Sequence, residues 1–235
     1  MEADTSIKVS FLLSFKNDLD LFKEFYKKQQ YPTGENDSQI FLGFLKEELM
    51  KQIPNLNKER CFILIKNVLK REYKKNKKLL NIKLQIAKSK WQEIENSFFQ
   101  ESKKVFDGHP FPKGHYHAYI SIWGRYIRNL ESKSITFPPN QRFMLLVIIH
   151  EFLHIIFYDY FYQNFKNKLN KEKLWELSEI INVLIMNEKP FLTWAEYPSL
   201  PYPAHKKNYK KLKEIYDKRE SMHDFIKKAI SVLKD

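Results

Sequence analysis

A chain of 235 residues is long enough to bury a full core in one domain, and five glycines with ten prolines are too few for an all-β protein built on tight turns, so helix should dominate. The formal net charge of +13 raises nucleic acid or an anionic membrane as a partner. The lysines, however, are spread over nearly every expected helix, and the one dense run, Lys70 to Lys78, reads as a solvated face or linker between two helical patterns. The single cysteine, Cys61, cannot make an internal disulfide and lies in an apolar run, so it reads as a core residue of a protein in a reducing compartment.

Taken in chain order, Ile7 to Phe15 reads as a short strand or as the apolar lead-in to a helix. Phe11-Leu12-Leu13 is too short for a signal-peptide core, and with no basic lead-in before it a soluble cytoplasmic protein is expected. Asp18 to Lys28 carries Leu19, Phe22, Phe25 and Tyr26 at helical spacing and stops before the turn residues Pro32-Thr33-Gly34. Ser38 is expected to cap a helix that ends at Pro54, and Asn57 the next, with Cys61, Ile65, Val68 and Leu69 facing inward. Leu79 to Phe106 is a long amphipathic stretch.

The composition changes at Asp107 to Gly114, where two prolines and two glycines break helix. A boundary is expected there: a helical region over residues 1–106 and a core over residues 107–235 that carries the chemistry, unless the two form one continuous domain. His115 to Trp123 alternates, with Tyr116, Ala118, Ile120 and Ile122 on one face and His115, His117, Tyr119, Ser121 and Trp123 on the other, as a strand with one buried and one solvated or functional face does. Ser134 to Phe137 is a second short strand, and Asn140 is the expected cap of a helix from Gln141 to about Phe165.

That helix holds Val147 to Phe157, an apolar run interrupted only by His150, Glu151 and His154. The run from Met144 to Phe157 comes nearest to a membrane span, but it contains these three polar residues and is too short to cross comfortably. Histidines at i and i+4 share one helix face, and a buried imidazole without a partner is costly, so something must satisfy them. Two such rings supply two zinc ligands with little entropy left to lose, while a glutamate beside the first reaches a zinc-bound water as general base. A third ligand is required. Glu172 to Glu188 is a further helix, apolar nearly all round its middle, and a Pro-rich stretch, Tyr197 to His205, precedes two amphipathic helices.

With His150-Glu151-Phe152-Leu153-His154 on the page, the segment from His115 to Glu188 resembles the HExxH zinc metallopeptidases, in which a strand precedes the motif helix and a later helix delivers the third ligand. Phe157 and Tyr160 stand where the longer signature has glycine and a third histidine, so the resemblance is to the gluzincin-like type, whose third ligand is a glutamate. It implies a mainly helical α+β zincin-like fold with a small antiparallel sheet beside the motif helix. It also implies one zinc ion on His150, His154 and Glu179, with Glu151 as catalytic base and a peptide or protein as substrate. Glu176, one turn earlier, is the runner-up ligand, and Val183 replaces the aspartate usual four residues after the ligand, leaving Asn182 to orient a histidine. Tyr197, Tyr202 and His205 are candidates by position for stabilising the oxyanion. His115 and His117 read as a polar cleft wall in preference to a second metal or substrate site. Two other classes stay open: a basic nucleic-acid-associated protein, and a catalytically inactive metallopeptidase-like interaction module.

Overall fold

The computed structural model describes residues 7–27, 57–123, 126–140 and 142–234; the helix expected between Ser38 and Pro54 lies outside them. The elements in order are β1 (Ile7–Leu13), α1 (Phe15–Lys27), α2 (Lys58–Val105), β2 (Gly114–Ile120), β3 (Arg128–Asn129), β4 (Ser134–Phe137), α3 (Met144–Phe165), α4 (Lys171–Met186), α5 (Phe191–Ala195), a 3₁₀ turn (Pro203–His205), α6 (Lys206–Asp217) and α7 (Met222–Lys234). The chain is thus mainly helical with one small sheet, an α+β arrangement.

The lysine-rich run is not a linker. Asn57 caps α2, its side chain accepting from the Arg60 amide at 3.0 Å, and the helix continues for 48 residues, about 72 Å at 1.5 Å per residue. Between Lys58 and Val105 there is neither glycine nor proline, and lysine, arginine and glutamate are good helix formers that stay solvated. The two apolar patterns on either side of the run belong to one stripe, from Cys61 and Ile65 to Trp91, Ile94 and Phe98. The helix ends where expected: Asp107 (φ 55) and Gly108 (φ 83) take left-handed conformations. The Asp107 carboxylate then accepts from the Met222 and His223 amides at 2.8 Å each, capping α7 from a distant part of the chain.

The sheet is mixed, not antiparallel, with strand order β1-β2-β4-β3. β1 runs parallel to β2 from Ile7 beside Gly114 to Leu13 beside Ile120, and β2 runs parallel to β4; only β3 and β4 are antiparallel. The reason is a long-range pairing. The segment at Ile7, readable as a strand or as the lead-in to a helix, is a strand and docks beside β2, so the sheet is built from both sides of the break at residues 107–114. Tyr116, Ala118 and Ile120 are buried as their alternation predicts, but Ser121 and Trp123 are buried as well. The strand ends at Ile120, and the chain turns in to meet Asp18 of α1, whose carboxylate accepts from Ser121 Oγ and Tyr73 Oη at 2.6 Å each and from the Ile122 amide at 3.3 Å.

Helix α3 lies across β4 and β3 and packs on α2, α4 and α5. Phe152 anchors it, with Trp91, Phe98, Phe111 and Tyr116 arranged around its ring at centroid distances of 4.8 to 6.3 Å. By length and composition α3 is one helix able to cross a membrane, but 78% of its apolar window is buried inside the protein, packed on these neighbours. Its first residue is Met144, with no side-chain cap; Asn140 instead accepts from the Arg142 amide at 3.0 Å.

Candidate metal centre

Phe152 stands two residues from both His150 and His154, about 200° round the helix from each. Seating Phe152 in the aromatic cluster therefore turns both imidazoles to the opposite side, where α4 lies antiparallel. Asn182 of α4 donates from Nδ2 to the His150 carbonyl oxygen at 2.8 Å, and the Tyr158 hydroxyl meets Ser178 Oγ at 3.2 Å. Between these two links, Glu179 faces the histidines.

His150 Nε2 and His154 Nε2 are 3.0 Å apart. Glu179 Oε2 is 3.2 Å from His150 Nε2, and Glu179 Oε1 is 3.3 Å from His154 Nε2. These residues form the one group of three or more His, Cys, Asp or Glu among the described residues whose ligand atoms lie close enough together, all within 4.8 Å of one another, to hold one ion. Glu151 lies beside them with its Oε2 3.6 Å from Arg128 Nη1, and the same nitrogen is 3.8 Å from Glu179 Oε1. The His154 side chain is fully buried, those of Glu151 and Glu179 are 6% exposed, and His150 and Arg128, at 19% and 16%, mark the side on which the cluster opens.

Burial decides the electrostatics. Burial and the nearby Arg128 push His154 down to about 3, so its ring is neutral. Burial works against an ionised Glu179, but His154 and His150 outweigh it and hold the carboxyl well below its usual range. Burial likewise disfavours a charged His150, and there the Glu179 carboxylate wins and raises it. Burial raises Glu151 against the opposing pull of His150 and Arg128. Four of the eight buried polar side-chain atoms without a hydrogen-bond partner among the described residues belong to this cluster or its immediate support: Glu151 Oε2, His154 Nδ1, Glu179 Oε2 and Asn182 Oδ1. Each such atom costs about 1–3 kcal/mol, and of the four only Glu179 Oε2 and Glu151 Oε2 belong to the carboxylates beside the two Nε2 atoms, where an ion or its bound water would meet them.

The other residues singled out in the sequence lie elsewhere. Glu176 accepts from Asn208 Nδ2 at 2.7 Å and from Lys173 Nζ at 3.2 Å, beside a cavity of about 350 Å³ that is lined by α4, α6 and α7 and lies away from the histidines. Tyr202 and His205 pack on Trp175, and Tyr197 packs at a tilt on Phe143 and lies under Arg142. Asn182 holds the His150 backbone, not a ring. His115 and His117 lie on the sheet face opposite Tyr116, whose ring meets Phe152, so they face away from the motif helix; His115 Nε2 is 2.7 Å from Ser10 Oγ. Cys61 is buried and free. The residue that the sequence did not disclose is Arg128. It reaches the site because β3 is clamped to β4, the Ile127 amide donating to Thr136 Oγ1 and the Thr136 amide to the Ile127 carbonyl, both at 2.8 Å. One more cation in a chain with 41 lysines and arginines carries no local signal. Comparison of the chain with known protein families, with curated proteins and with solved structures finds no match.

Proposed function

We propose that this protein is a zinc-dependent hydrolase of peptide bonds in the gluzincin-like manner, with His150, His154 and Glu179 holding one ion and Glu151 acting as base. The observation that carries the reading is the closeness of the ligand groups: the two Nε2 atoms are 3.0 Å apart, and the two Glu179 oxygens lie one against each ring, 3.2 Å from His150 Nε2 and 3.3 Å from His154 Nε2. Zinc bonds of about 2.0–2.1 Å at tetrahedral angles set ligand atoms about 3.3–3.4 Å apart, so each of these separations is close to what such a site needs. The donor set of two imidazoles and a carboxylate leaves the fourth position for water or substrate, as catalytic zinc sites do. Bound there, zinc would supply a water acidified to a pKa near about 7 and a Lewis acid for the carbonyl.

The chain's own residues then have separate tasks. Glu151 sits next to these three residues without belonging to their group, its Oε2 buried and free to accept. It takes the proton from the attacking water and delivers it to the departing amine nitrogen. Burial, which favours the protonated form of Glu151, suits it to that return step. Asn182 and the Tyr158–Ser178 contact keep α3 and α4 in the register that brings Glu179 to both rings.

Two variants test the reading. Wild-type protein should hold one zinc per chain, and His150→Ala should lose it; equal zinc in both removes the proposal. Glu151→Gln should keep the metal and lose about 10²–10⁴-fold in kcat, and undiminished hydrolysis in that variant would show that another group is the base.

A further inference from the structure

We propose that Arg128 is a catalytic residue of this site, the cation that meets the oxygen of the scissile carbonyl as it gains negative charge; the inference rests on the peptidase reading above. Its position comes first. Arg128 Nη1 lies between the residue assigned as base and the residue assigned as third ligand, 3.6 Å from Glu151 Oε2 and 3.8 Å from Glu179 Oε1. A carbonyl carbon attacked by water beside Glu151 has its oxygen within reach of that nitrogen.

The donors are also unspent. A tight guanidinium–carboxylate bond is about 2.7–2.9 Å long, and Arg128 closes on neither carboxylate to that distance. Its close hydrogen bond runs from Nη2 to the Tyr158 hydroxyl at 3.3 Å. The head group is nevertheless held: its centre lies 5.1 Å from the Tyr158 ring centroid. Tyr158 Oη donates onward to Ser178 Oγ at 3.2 Å, and Ser178 Oγ donates to the Trp175 carbonyl at 2.7 Å. The hydrogen bonds of Arg128 Nη2, Tyr158 and Ser178 thus run away from the two carboxylates, and Arg128 Nη1 is left facing them. A cation fixed in advance where charge develops is the arrangement that stabilises an oxyanion without reorganisation. The residues proposed by position in the sequence, Tyr197, Tyr202 and His205, pack around Trp175 and Phe143 instead.

In the step itself, the water oxygen bonds to the carbonyl carbon and the C=O π pair moves to the carbonyl oxygen, where Arg128 donates hydrogen bonds to it. The pair then returns, the C–N bond breaks with its electrons on nitrogen, and nitrogen takes the proton carried by Glu151. Arg128 neither gains nor loses a proton, in keeping with a guanidinium that stays charged.

The test uses the full chain loaded with cobalt, whose visible spectrum reports the metal, and methylphosphonate as a tetrahedral anion. Arg128→Gln and Arg128→Lys should take up cobalt with the wild-type spectrum but bind methylphosphonate at least about 10-fold more weakly, since a bidentate fork is lost in both. With zinc, kcat should fall about 10²–10³-fold while KM moves little. Millimolar free guanidinium should restore part of the activity of Arg128→Ala and none in wild type, a response that a merely structural role would not give. Arg128→Lys keeps a positive charge between the two carboxylates, which guards against simple misfolding. Normal cobalt uptake and turnover with unchanged phosphonate affinity and kcat in the variants overturns the inference alone. Absence of a cobalt spectrum in wild type overturns the peptidase reading and the inference with it.

Discussion

Asp18 offers a sharp test of the packing that joins α1, α2 and the end of β2. Its carboxyl is fully buried, and burial pushes it up from 3.8 to about 6 even though Ser121, Tyr73 and the Ile122 amide all donate to it. A folded-state pKa above the unfolded value means that the native protein binds the proton more tightly. The associated stability is therefore complete below about pH 3.8 and is lost as pH rises through about 6. At 1.36 kcal/mol per pH unit, the rise from 3.8 to about 6 corresponds to about 3 kcal/mol. For a chain of this length that is about 6–12 °C in Tm. Asp18→Asn has no proton to lose, and its amide can accept from one hydroxyl while donating to the other, so its cost should not depend on pH. Most of that change, about 2.4 kcal/mol, falls between about pH 4 and about pH 7, so thermal melts of both proteins should show the variant gaining about 5–10 °C relative to wild type over that range. Taking the difference cancels every other titrating group. A difference that stays flat across that range would mean that Asp18 ionises without penalty and that the reasoning is wrong.

Two further outcomes follow from the geometry. Glu179→Gln should lower zinc affinity by more than the about 10- to 100-fold typical of an outer partner, whereas Glu176→Gln should leave it unchanged, because Glu176 is held by Lys173 and Asn208; equilibrium dialysis against zinc distinguishes the two, and the reverse order would exchange their roles. Lys75→Pro, in the exposed middle of α2, should cost about 3 kcal/mol by removing a backbone hydrogen bond and clashing with the preceding turn. A thermal melt indistinguishable from wild type would restore the reading of the basic run as a linker.

What could be read from the chain was local. Helical spacing placed His150 and His154 on one face with Glu151 beside them, and the apolar run around them implied burial and hence a partner. Alternation set Tyr116, Ala118 and Ile120 inward, and the glycine and proline cluster after Val105 marked the end of α2. Such patterns repeat over two to four residues, so neighbours in sequence carry them. The lysine run left a solvated face and a linker both open, because its composition fits the two equally well; it is a solvated helix face, and the absence of any breaker was the better clue.

Tertiary structure decided everything that joins distant residues. That β1 pairs in parallel with β2, across about a hundred residues, depends on which edge is left for it and not on its own pattern. Glu179 and Glu176 are one turn apart on a buried helix, and the sequence could only rank the first above the second; the antiparallel packing of α3 on α4 brings Glu179 to the histidines and leaves Glu176 to Lys173 and Asn208. Arg128 enters only because the two residues of β3 are pinned to β4 beside α3. The sequence by itself determined the type and spacing of the groups on the motif helix, because a helix fixes neighbours at i and i+4. The fold determined which carboxylate and which cation face them, because that depends on how separate elements pack.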